Sequence, residues 1–118
     1  MTDSPDRQAG LIPGEEIAEL FRKATRREVK IAAVGKTWKE VYAGEVRFRM
    51  GGYEMVIYND CNELDYVDSA TAADGREGDF DDWWNSGTEP VTLLTDHERR
   101  RLEDFLERAV VENQTSNS

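Results

Sequence analysis

Between residues 45 and 58 the chain alternates apolar and polar side chains, halts on two glycines, and alternates again. Glu45-Val46-Arg47-Phe48-Arg49-Met50 and Tyr53-Glu54-Met55-Val56-Ile57-Tyr58 flank Gly51-Gly52. Period-two alternation is the mark of a half-buried strand, and two glycines, both free to take positive φ, suit a tight primed turn. A two-residue turn also fixes a register. Met50 faces Tyr53, Phe48 faces Met55 and Val46 faces Ile57 on one apolar side; Arg49 faces Glu54 and Arg47 faces Val56 on the other. A slip of one residue would bury Arg47 and Arg49.

The remaining pattern supplies cover for that apolar side. Ile17, Leu20, Phe21 and Ala24 recur at helical spacing within a predicted helix from about Pro13 to Arg26, with Glu15 and Glu16 near its positive end and Arg22, Lys23, Arg26 and Arg27 near its negative end. Thr95-Asp96-His97-Glu98 is a capping box that opens a last helix, whose apolar stripe is Leu102, Phe105, Leu106, Ala109 and Val110. Residues 28–34 read as a short strand with Val29, Ile31 and Ala33 on one side, ended by the turn Gly35-Lys36-Thr37. Residues 63–68 read as a weaker third strand after the turn 59–62, with Leu64 and Tyr66 towards the core. Residues 69–79 read as a loop, Phe80-Asp81-Asp82-Trp83-Trp84 as an aromatic patch of about one helical turn, and 85–90 as a second loop. The expected architecture is α+β: a mainly antiparallel sheet of about three to four strands packed against an N-terminal and a C-terminal helix, as one domain over 12–111. The polar stretches 1–11 and 112–118 are expected to be frayed tails.

Charge is unevenly placed. The net charge of −10 equals that of residues 54–89 alone, which hold eleven acids and a single base, Arg76. Such a chain has no electrostatic attraction to nucleic acid or to an anionic membrane and favours cationic partners. No apolar run approaches the roughly 20 residues of a membrane span, and the N-terminus lacks the apolar core of a secretory signal. With a lone cysteine, Cys61, this makes a cytoplasmic location the expectation.

Catalytic and metal chemistry find little footing. Cys61 and His97 are the one thiol and the one imidazole, each in an ordinary structural context, a turn and a helix start. Asp60-x-Asn62-x-Leu64 begins like a calcium loop, but Leu64 stands where an oxygen ligand belongs. The carboxylates from Asp74 to Asp82 lack calcium-loop spacing. Trp83 and Trp84 are harder to treat as filler, because adjacent residues on a regular element cannot both point inward. One is expected to close the core and the other to be partly exposed beside Asp79, Asp81 and Asp82.

The stretch Ile57-Tyr58-Asn59-Asp60-Cys61-Asn62-Glu63-Leu64-Asp65-Tyr66 resembles a motif, Asn-Asp-Cys-x-x-Leu-Asp-Tyr, of a family of short uncharacterised bacterial proteins. The resemblance continues through Asp74-Gly75-Arg76, through residues 87–94, and into the terminal helix from Glu98 to Leu106, covering about residues 40–108. Members often carry a second cysteine after the Leu-Asp-Tyr, where this chain has Val67, a departure that weakens any shared thiol or metal role for Cys61. The family supplies a fold unit and no activity.

Two functional expectations follow. The leading one is a non-enzymatic, cofactor-free interaction protein, monomeric or homodimeric. It covers a basic, nucleic-acid-binding protein surface as anti-CRISPR proteins, nuclease immunity proteins and DNA mimics do. Asp65, Asp68, Asp79, Asp81 and Asp82 would be its contacting carboxylates, and Trp83 and Trp84 its candidate anchors. The alternative is a small-ligand module or enzyme using the carboxylates around Asp74–Asp82.

Overall fold

The computed structural model describes residues 11–111; the two polar tails, apart from Leu11, lie outside the described residues. Gly51 and Gly52 take φ of +50° and +86°, as a primed turn demands. Strands β2 (Ala43–Met50) and β3 (Tyr53–Asp60) pair in the predicted register, Met50 with Tyr53, Phe48 with Met55 and Val46 with Ile57. Strand β1 (Ile31–Val34) joins the other edge of β2, setting Ala33 opposite Phe48. It begins later than residue 28 because Arg27 has turned into the left-handed region at φ +65°.

The sheet has five strands rather than three or four, in the order β1-β2-β3-β4-β5, antiparallel throughout. Strand β4 (Glu63–Ala72) runs on through the small residues 69–72, and β5 (Glu77–Asp79) pairs with it, Ser69 opposite Asp79. Most of the expected loop over 69–79 is therefore sheet. A second unforeseen element is the short helix α2 (Trp38–Val41), N-capped by Thr37 and Glu40 in a reciprocal capping box, which carries Trp38 into the core.

Two helices cover the inner face. Helix α1 (Gly14–Thr25) contributes Ile17, Leu20, Phe21 and Ala24. After a 3-10 turn over Pro90–Leu93, helix α4 (Asp96–Arg108) contributes Leu102 and Leu106, its capping box formed by Thr95 and Glu98. (Helix α3, Phe80–Asn85, lies between β5 and that turn.) Against them stand Val46, Phe48, Met50, Met55, Ile57, Leu64, Val67 and Ala70, in one continuous core. Arg22 ties the two helices together, its Nε donating to Glu98 at 3.1 Å and its Nη2 to the Leu93 carbonyl at 3.1 Å. Helix α4 ends at Arg108, so Val110 leaves the apolar stripe. It is 71 % exposed, and its carbonyl accepts from the Ala33 amide at 2.9 Å.

Candidate functional site

The outer face of the sheet is built by two interruptions in β4. Val56 pairs with Ser69 but Ile57 with Val67, and Tyr58 pairs with Tyr66 but Asn59 with Leu64. Asp68 and Asp65 are the extra residues at these two bulges. Each bulge lets the strand keep an apolar residue inside, Val67 and Leu64, while Tyr66 turns outward. The expectation that Leu64 and Tyr66 share the core face therefore holds for Leu64 and fails for Tyr66. Two carboxylates secure the irregular strand. Glu103 accepts from the Leu64 amide at 2.9 Å, and the buried Glu89 accepts from the Val67 amide at 2.8 Å.

Turned outward, Tyr66 stacks on Tyr58, the rings 5.2 Å apart and 3° from parallel. Phe80, the first residue of α3, meets the other side of Tyr66 at 4.7 Å, and Trp84, one turn later, stacks on Phe80 at 5.5 Å. The spacing of four along α3 puts Phe80 and Trp84 on one face. Tyr58, Tyr66, Phe80 and Trp84 thus form a continuous row of four rings, with Trp84 60 % exposed at its end.

Carboxylates flank the row. Partial burial pushes the Tyr66 phenol pKa up, and the nearby Asp68, Asp65 and Glu45 push it further. Glu45 reaches this surface by pairing with Tyr58 across β2 and β3. Asp65 is exposed and Asp68 half-buried at the two bulges. Asp79 N-caps α3, accepting from the Asp82 amide at 3.0 Å, while Asp81 and Asp82 are exposed in the first turn of that helix.

Trp83 is not on this surface. It is 2 % exposed, its indole N–H donates to the Ile12 carbonyl at 2.8 Å, and its ring lies over Gly78, where a Cβ would come within 2.6 Å of Cζ2. Buried in this way it closes the core, and only Trp84 is left to meet a partner.

The acids from Asp74 to Asp82 do not converge. Asp74 accepts from the backbone N–H and the guanidinium of Arg76, which hold its carboxyl below the usual range. Arg76 also grips Glu16 through two bonds of 2.9 and 2.7 Å, and Tyr53 donates to the same carboxylate. Asp79 is committed to its cap. Cys61 is exposed in the β3–β4 turn at φ +54°, beside the Tyr42 hydroxyl, and His97 is exposed at the start of α4. Among the described residues no three His, Cys, Asp or Glu side chains are grouped to hold a metal, and no helix is long and apolar enough to cross a membrane.

Sequence reasoning missed Glu45, Tyr58, Tyr66 and Phe80 as members of this surface. For Glu45 and Tyr58 the signal was present, because the hairpin register alternates both away from Val46 and Ile57. For Tyr66 it was not, since bulges leave no periodic trace.

Residues 11–108 match a family described as a domain of unknown function, DUF7693, and the chain belongs to that family. No curated protein and no solved structure matches it.

Proposed function

We propose that this member of the DUF7693 family is an interaction domain whose outer sheet face captures an arginine-rich surface of a basic, nucleic-acid-binding protein. The observation that carries the reading is the row Tyr58–Tyr66–Phe80–Trp84, half-buried along its first three rings and exposed at Trp84, flanked by Glu45, Asp65 and Asp68. Guanidinium groups stack on aromatic faces and pair with carboxylates, so such a surface offers one arginine both of its preferred contacts at once. Arginines held this way are withdrawn from phosphate, which makes the domain an inhibitor of nucleic-acid binding. The setting is taken to be the bacterial cytoplasm, where a single exposed thiol stays reduced.

The row also supports aromatic anchoring over a bare electrostatic mimic. Exposed tryptophan and tyrosine rings are the residues that concentrate binding energy in interfaces. A carboxylate-based ligand site around Asp74–Asp82 draws less support, since Asp74 and Asp79 are engaged within the chain.

Titration with a nine-arginine peptide, followed by tryptophan fluorescence, tests the reading. Arginine should bind more tightly than nine lysines, and affinity should fall with salt. Asp65→Lys with Asp68→Lys should reduce affinity at least tenfold, and Tyr66→Ala should remove the preference for arginine. Equal binding by the double reversal at low salt would sink the proposal.

A further inference from the structure

On the far side of the sheet the charge pattern inverts. A groove of about 430 Å³ opens between the end of α1, the start of β1 and the last turn of α4. Its floor is apolar: Ala24, Val29, Ile31, Phe105 and Ala109. Its rim carries Arg27, Lys30 and Arg108, together with Glu28, whose carboxylate is taken up by Arg26 at 2.8 Å. Three guanidinium groups fan around the half-buried Phe105 ring, Arg108 at 5.6 Å, Arg101 at 5.9 Å and Arg27 at 6.0 Å.

In a chain with 25 acidic residues, none of Arg27, Lys30 and Arg108 forms an ion pair with a carboxylate of the described residues. Arg27 moreover sits just past the end of α1 in the left-handed region, at φ +65°, where glycine is the easy choice. A strained arginine at that position places a cation over Phe105.

The same chain carries the complement. Trp84 projects from α3 as an exposed ring with Asp81 and Asp82 beside it. The two features cannot meet within one molecule, because the groove lies at the β1 edge and α3 adjoins β4 and β5. Four strand spacings of about 4.8 Å separate those edges by about 19 Å.

We infer that a second copy of this chain occupies the groove: Trp84 of one copy lies against Phe105 of the next, and Asp81 and Asp82 pair with Arg27, Lys30 and Arg108. The contact is heterologous, head to tail, with each copy using a different surface. One aromatic anchor buries only about 150–250 Å², well short of a standard interface, and two copies of charge −10 repel. Association is accordingly weak, with a dissociation constant of roughly 10 µM to 1 mM.

The contact does not depend on the basic partner proposed above, and the two are separable. Arg108→Glu leaves the acidic face intact, so it should bind nine-arginine normally while losing self-association. Sedimentation equilibrium of the full chain up to about 1 mM, at 0.15 M salt, provides the test. The wild type should associate, while Arg108→Glu, Lys30→Glu and Trp84→Ala should each weaken association at least tenfold with unchanged circular dichroism. An equimolar mixture of Arg108→Glu with Trp84→Ala should regain a one-to-one pair, because the first keeps the knob and the second keeps the groove. The inference is overturned by a wild type that stays monomeric, by single variants that associate as tightly as the parent, or by a mixture that fails to recover.

Discussion

The buried carboxylate of Glu89 accepts the backbone N–H of Val67 at 2.8 Å, joining the 3-10 turn to the strand beside the Asp68 bulge. Its other oxygen accepts from the Thr92 amide at 3.1 Å, which caps the turn over Pro90–Leu93. One acidic side chain, 1 % exposed, thereby holds the bulge that turns Tyr66 outward.

Glu89→Ala should therefore be among the most damaging single changes. It leaves the buried Val67 amide without its acceptor, at about 1–3 kcal/mol, and removes the side-chain cap from the Thr92 amide, which keeps only the backbone carbonyl of residue 89 at 3.0 Å, for about 1 kcal/mol more. Urea denaturation should show a loss of about 2 kcal/mol or more.

The same residue gives the protein an unusual acid response. Desolvation raises the Glu89 pKa, with the Val67, Thr92 and Val91 amides opposing it. The folded state then holds a proton more tightly than the unfolded state does, so this group's contribution improves as pH falls towards about 4.5. Glu16, held low by Arg76, and Glu98, held low by the Thr95 amide, act with the opposite sign. Their stabilisation is complete above the unfolded value of 4.5 and is lost as pH drops through their lowered values. Melting curves of wild type and Glu89→Gln should shift in favour of the wild type as pH falls from neutral towards 4.5. Both should then lose stability below about pH 4.5.

Adjacent tryptophans should behave as strangers. Trp83→Ala removes a buried ring and strands the Ile12 carbonyl, for about 3–5 kcal/mol. Trp84→Ala should change stability by less than about 1 kcal/mol. Chemical denaturation of the two variants, together with acrylamide quenching of the two indoles each retains (the buried Trp38 is common to both), checks the assignment. In Trp83→Ala a readily quenched component from Trp84 should stand beside a shielded one from Trp38, while Trp84→Ala, left with Trp38 and Trp83, should be shielded throughout.

The hairpin turn should tolerate no β-branched residue. Gly51→Val imposes positive φ on valine and brings its Cβ to 3.0 Å from the Val29 methyl, which should cost about 2 kcal/mol or more. A thermal melt measures the loss, and backbone NMR should show whether the Met50–Tyr53 register persists.

Much of this architecture is legible in the sequence. The hairpin register, both long helices and the Thr95–Glu98 box come from short-range patterns that physics reads directly. Helix α2 had a readable signal as well, since Thr37 and Glu40 stand at capping-box spacing. Strands β4 and β5 escaped over 69–79 because Ser, Ala, Thr and Gly are too small to show alternation. The aromatic row depends on bulges at Asp65 and Asp68, and those depend on Glu89 and Glu103 supplying acceptors from 22 and 39 positions away. No local window contains that information, so periodicity alone assigns Tyr66 to the wrong face.

The sequential strand order has a consequence for how a chain reaches this state. Every strand pairs with its neighbour in sequence, so the sheet grows by short loop closures, which are fast. The two long helices break that rule, because Arg22 and Glu98 meet across 76 positions. During synthesis α1 emerges first and its counterpart last, leaving Phe48, Met55 and Ile57 only half sheltered until residues 96–108 arrive. A nascent chain stalled before Thr95 would thus present completed hairpins with a sticky underside, a natural substrate for chaperones, and emergence of the thirteen residues of α4 is the event that retires it.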